Sequence, residues 1–222
     1  MTQDLTDTLA LVTGASRGIG FATAAHLAER GAHVVAVART TGGLDDLADL
    51  VEANGAGGVT LVPLDITDDP GLQRMCAAIF ERWGRLDLWV HTAAHSAPLT
   101  MAHQVQEKDL DKSLAVNIRA FQRLVTMVDP LLRLSKTGTA LILDEDAAGK
   151  PFAASNGAAK AAQRAIAQSW QAETERGGPK VVLHTPPAAP TAYRSRAFPG
   201  EDRTQLTALA DIAAGVVSAA GY

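Results

Sequence analysis

Residues Thr13-Gly14-Ala15-Ser16-Arg17-Gly18-Ile19-Gly20 stand between an apolar run at 9–13 and a segment at 19–30. In that segment Ile19, Ala22, Ala25 and Leu27 recur at close to helical spacing before Gly31 ends it. The order is therefore strand, glycine-rich turn, helix. Glycines at Gly14, Gly18 and Gly20 let the backbone reverse tightly and approach a pyrophosphate closely, and a helix N-terminus offers free N–H groups with a partial positive charge. Such a turn can serve packing alone, but its place between a strand and a helix favours a dinucleotide site.

The rest of the chain repeats the alternation. Strands are expected at 33–37, 60–64, 86–92, 139–143 and 181–184. Helices are expected at 44–53 (stopped by Asn54-Gly55), at 69–83, over 107–134 with an interruption near Pro130, at 155–176 and at 208–220. Residues 95–103 read as a loop, and Pro186, Pro187 and Pro190 force an irregular segment after the last strand. This predicts one α/β domain over 1–222, a doubly wound parallel sheet (Rossmann fold) of about six strands with helices on both faces. Ligands of such sheets bind beyond the carboxyl ends of the strands.

Composition narrows the function. With 47% hydrophobic and 20% charged residues the chain is a folded, soluble type, and its net charge of −4 gives no reason to expect nucleic acid or an anionic membrane as partner. A single cysteine excludes an internal disulfide framework and fits a reducing cytoplasm. No apolar run approaches the roughly 20 residues of a membrane span, and residues 1–10 lack the basic start of a secretory signal. No metal is expected: His91, His95 and His103 lack an acid or cysteine to complete a set.

The Thr-Gly-x-x-x-Gly-x-Gly turn resembles that of the short-chain dehydrogenase/reductase family, and further matches run along the chain. Asp65, in Leu64-Asp65-Ile66, matches the family's acidic residue near the adenine, and His91-Thr92-Ala93-Ala94 stands where the family has an Asn-Ala-Gly turn. Asn117 matches the helix asparagine, Lys160 the lysine of the Tyr-x-x-x-Lys motif, and Pro186 with Thr191 the loop after the last strand. The stretch 191–199 also resembles a bacterial subgroup of uncharacterised reductases. The resemblance implies nicotinamide dinucleotide binding by Gly14, Ser16, Arg17, Gly18, Ile19, Gly20, Arg39, Asp65, Ile66, Ala93, Lys160 and Thr191. Ala38 ends the second strand where NAD users place an acid, and Arg39 and Arg17 can grip a 2′-phosphate through charge-assisted hydrogen bonds, so NADP(H) is expected over NAD(H).

The catalytic end departs from the pattern. The family's tyrosine protonates the carbonyl oxygen as hydride arrives, the lysine four residues on lowers its pKa, a serine hydrogen-bonds the substrate and the asparagine orders a relay water. Here Asn156 stands four residues before Lys160, and counting back from Gly149 puts Asp146 at the serine position. An amide cannot donate a proton as a phenol does. The candidate catalytic residues are therefore Lys160, Asn117, Asp146 and Asn156, with an Asp146–Lys160 ion pair expected. The two tyrosines, Tyr193 and Tyr222, stand elsewhere.

Two functions follow. One is an NADP(H)-binding member impaired in ordinary carbonyl reduction. The other is an active oxidoreductase on a small carbonyl or quinone-like substrate that uses Asp146, His95 or water as its acid. The stripe Ala158, Ala161, Ala162, Ala165 and Ser169 is small enough for close helix contact, and the resemblance implies a homodimer or homotetramer.

Overall fold

A computed structural model of the protein describes residues 4–54 and 57–222. Gly55, expected to help stop the second helix, and residues 1–3 of the amino-terminal segment lie outside the described residues.

Six strands form one parallel sheet: β1 (Leu9–Thr13), β2 (His33–Ala38), β3 (Gly58–Pro63), β4 (Leu88–His91), β5 (Thr139–Leu143) and β6 (Lys180–His184). Their order is β3-β2-β1-β4-β5-β6, so the chain winds outward one way from β1 and then returns to wind the other way from β4. Side chains alternate across the strands and feed two separate cores. Ala10 and Val12 of β1, with Val34 and Ala36 of β2, pack under α1 (Gly18–Glu29), α2 (Gly42–Asn54) and α8 (Leu209–Ala220). Leu9 and Leu11, with Val35 and Val37, face α3 (Asp69–Trp83), α5 (Phe121–Arg133) and α6 (Ala154–Thr174). Both faces of β1 are thus buried, which is why the run has no polar alternation.

Two local readings need correction. Pro130 does not interrupt the long segment: it lies inside α5. The irregularity falls earlier, where α4 (Glu107–Leu114) passes into a π-helical stretch, Ala115–Ala120, before α5. The extra residue in each π turn rotates the face that Asn117 presents. The segment after β6 is also less irregular than expected, since Ala192–Ala197 forms a short helix, α7, capped by Thr191.

The small-residue stripe of α6 lies outside the core. Ala158, Ala161, Ala165 and Ser169 are exposed and Ala162 half-buried, while Asn156, Lys160, Gln163, Ala167 and Trp170 form the inward face. Among the described residues no helix is long and apolar enough to cross a membrane, and no three His, Cys, Asp or Glu side chains group as metal ligands. The lone Cys76 is buried in the second core, and burial pushes its thiol up to about 11.

Candidate functional site

The reversal of strand order leaves a crevice at the carboxyl ends of β1 and β4, and a cleft opens there. Its first wall is the glycine turn. Gly14 has φ of +91°, and a Cβ there would meet Thr92 Oγ1 at 2.6 Å. A Cβ on Gly20 would meet the Gly14 carbonyl at 2.3 Å. These two glycines therefore serve close packing, and Thr92 Oγ1 locks the arrangement by donating to the Thr13 carbonyl at 2.8 Å. Gly18, with φ of +60°, lies against the Thr191 methyl across the cleft. Sequence reading missed that Gly43 is part of this packing, since a Cβ there would strike the Ser16 carbonyl.

Arg17 occupies the N-cap position of α1 in an extended conformation, and no side chain caps the helix. The opening N–H groups of α1 therefore face the cleft without a side-chain acceptor, as an anion site requires. Arg17, Arg39, Asp65 and Ile66 line the same cleft, with Arg39 Nη1 3.8 Å from Asp65 Oδ2. Both partners are about half exposed, so this contact is worth little and leaves Arg39 able to turn to a phosphate. Uncapped N–H groups beside two guanidiniums suit a phosphorylated dinucleotide. Ser16, Ala93, Lys160 and Thr191 line the cleft as well, so every expected cofactor contact falls on it.

The catalytic candidates are distributed differently. Lys160 lines the cleft while almost wholly buried, its Nζ donating to the Leu143 carbonyl at 3.1 Å and to Gln163 Oε1 at 2.8 Å. Burial holds its pKa below the usual value, opposed by the charges of Glu145 and Asp144. Two of its three donors are thus engaged, and the Gln163 contact is one that no motif predicts.

Neither asparagine lines the cleft. Asn156 is buried and grips the backbone of Ala97 from both sides, Oδ1 accepting from its N–H at 2.9 Å and Nδ2 donating to its carbonyl at 3.0 Å. Asn117 repeats the device on His95, at 2.7 and 2.9 Å. With the bridge between Thr100 and Ala153, these two amides hold the segment after β4 in place.

Asp146 also lies elsewhere. Its side chain is 71% exposed and pairs with Lys150 at 3.3 Å, so the expected Asp146–Lys160 ion pair is not formed. The residues after β5 that line the cleft are Asp144 and Glu145. The physical reason is nearness to the strand end: Asp144 and Glu145, the first two residues past β5, stay at the carboxyl end of the sheet, whereas Asp146, one further on, is drawn outward to Lys150. Asp144 is neutralised by Arg164, Nε to Oδ2, at 2.6 Å. Glu145 Oε2 accepts a hydrogen bond from the Tyr193 hydroxyl of α7 at 2.7 Å.

Tyr193 of α7 is the cleft's phenol. Burial, then the Glu145 charge, raises its pKa, with a hydrogen bond from Ser96 acting the other way. Tyr222 is structural, its hydroxyl donating to the Asp87 carbonyl at the far end of the sheet. His91 is fully buried, with Nδ1 2.8 Å from Thr13 Oγ1, and burial followed by the Lys160 charge lowers its pKa to about 3. His95 lines the cleft with its pKa lowered, first by burial and then by Lys112.

Comparison with known proteins agrees with this geometry. Residues 8–202 match the family model described as short chain dehydrogenase. An uncharacterised oxidoreductase of Staphylococcus epidermidis is 31% identical over 180 residues, covering 80% of this chain and 76% of that protein. The 3-oxoacyl-acyl-carrier-protein reductase of Escherichia coli is 28% identical over 209 residues, covering 93% and 82% of the two chains. A Shigella flexneri short chain dehydrogenase solved in complex with NADP superposes with a TM-score of 0.90 at 26% identity, covering 99% of this chain and 93% of that one.

Proposed function

Because the chain belongs to the short-chain dehydrogenase family, we propose that it binds NADP(H) and lacks the family's ordinary route of carbonyl reduction. The observation that carries this reading is the Asn156 amide. At the position that matches the family's phenol, both of its polar atoms are bound to the Ala97 backbone, and the side chain does not line the cleft. General acid catalysis contributes roughly 10²–10⁴-fold, and an amide supplies none of it.

The cofactor half of the reading is supported by the uncapped start of α1, by Arg17 and Arg39 lining the cleft, and by the NADP complex of a structural neighbour. NADPH, when bound, supplies hydride to an electrophilic carbon. Lys160 then stands at the nicotinamide end with one N–H to spare for a ribose hydroxyl.

A second reading, an active carbonyl reductase with a substitute acid, has lost one candidate with the outward turn of Asp146. It rests on His95, whose buried Nε2 faces no hydrogen-bond partner among the described residues. The lowered pKa keeps that imidazole neutral near pH 7, which makes it a weak acid. Tyr193, with its raised pKa, is weaker still.

Fluorescence titration with NADPH, followed by turnover on a panel of ketones, tests the proposal. Binding with little or no turnover is expected, and the double variant Asn156→Tyr, Glu145→Ser should gain ketone reduction. Brisk ketone turnover by the unaltered chain would overturn the reading, as would a failure to bind NADPH.

A further inference from the structure

We infer that the substrate end of the cleft selects an iminium carbon, a C=N⁺ cation, and that Glu145 is the residue that selects it. The inference rests on the reading that this cleft holds NADPH. Glu145, half-buried, lines the cleft two residues beyond β5, and its carboxylate is held there by the hydroxyl of Tyr193, another cleft residue. Two of the neighbouring charges are paired with other residues. Asp144 is paired with Arg164, and Arg194 is gripped by both oxygens of Glu201 at 2.6 Å. Lys160 donates to the neutral Leu143 carbonyl and Gln163 amide and forms no ion pair with Glu145, although the two charges act on each other. Of Asp65, Asp144 and Glu145, the acids that line the cleft, Glu145 is the one whose carboxylate is bonded to a neutral phenol and not paired with a guanidinium.

Charge accounting separates the two substrate classes. Hydride transfer from the neutral dihydronicotinamide ring of NADPH to a neutral ketone creates an alkoxide, and here that anion would form beside a carboxylate. At ~4 Å and an effective dielectric constant of about 20, such repulsion slows the step by roughly 10³-fold. A ketone also needs a proton, and Asn156 has none to give. An iminium ion needs neither a proton nor an oxyanion hole. A C–H bond forms at its carbon as the C=N π pair becomes the lone pair of nitrogen, reducing the substrate to an amine while NADPH is oxidised to NADP⁺. One positive charge passes from substrate to nicotinamide, and the Glu145 carboxylate faces a cation throughout. The two departures that disable ketone reduction thus leave this reaction open.

The test uses N-methyl-3,4-dihydroisoquinolinium, a permanent cation, against 1-tetralone, a neutral ketone of similar size. NADPH affinity is measured first by fluorescence, then NADPH oxidation with each compound. Calorimetry adds binding of the tetrahydroisoquinolinium ammonium, an unreactive cation, to the NADPH-loaded protein. The iminium should be reduced and 1-tetralone should not. Glu145→Gln keeps an acceptor for Tyr193 and removes only the charge. It should lower kcat/KM for the iminium about 100-fold and weaken ammonium binding at least tenfold, with NADPH affinity unchanged. If NADPH binds but the iminium is not reduced, or if Glu145→Gln changes neither reading, the inference falls while the cofactor reading stands. If NADPH does not bind, both fall.

Discussion

Replacing Asn156 with alanine tests what that residue does. In the unaltered chain its amide satisfies the N–H and the carbonyl of Ala97, both in a buried setting. Alanine removes both partners and leaves two backbone groups with their desolvation uncompensated, each costing about 1–3 kcal/mol. Water entering the vacated space would recover part of this, so the expected loss is about 2–5 kcal/mol. For a chain of this size that corresponds to a fall in Tm of very roughly 4–20 °C. Urea unfolding followed by circular dichroism gives the loss directly, and the m-value should not change. Asn117→Ala, which cuts the same pair of bonds to His95, should cost a similar amount and serves as the internal standard. A loss below about 0.5 kcal/mol for Asn156→Ala, beside a full loss for Asn117→Ala, would refute the clamp. It would imply instead that Asn156 turns into the cleft and is held there for chemistry.

Arg17→Ala and Arg39→Ala should each weaken NADPH by about tenfold while changing NADH little, because NADH lacks the 2′-phosphate that these exposed guanidiniums would grip; parallel titrations of the two cofactors measure the ratio. Acid sensitivity should trace to His91, which folding keeps neutral down to about pH 3 while the unfolded chain takes up a proton near 6.5. The unfolded state then binds more protons between those values, so stability rises with pH through that window and falls by roughly 3 kcal/mol on going from neutrality to pH 4. His91→Gln should flatten that part of the stability–pH curve; an unchanged slope would remove His91 as its source. Ala161→Arg places a long cation on the outward small-residue face of α6, and sedimentation velocity should show a shift towards monomer if that face pairs two copies.

The sequence by itself determined the order of strands and helices, because full burial of both sheet faces leaves continuous apolar runs such as Leu9–Thr13, and the glycine turn between β1 and α1 leaves few other topologies. It also marked the cofactor end, since Gly18, Arg17, Arg39 and Asp65 reach the cleft from positions fixed by short local turns. What only the tertiary structure decided was the direction of side chains after a strand ends and inside a π turn. Counting from Gly149 favoured Asp146, yet the first two residues past β5, Asp144 and Glu145, are the ones that line the cleft, and Asp146 turns out to Lys150. Likewise the spacing that marked Asn117 and Asn156 could not reveal that their amides are spent on His95 and Ala97, since these bonds join residues far apart in the chain. Tyr193 shows the same limit from the other side: 33 residues after Lys160 by number, it reaches Glu145 because β6 and α7 fold the chain back over the cleft. Local periodicity encodes elements, and a site is made where elements far apart in sequence converge.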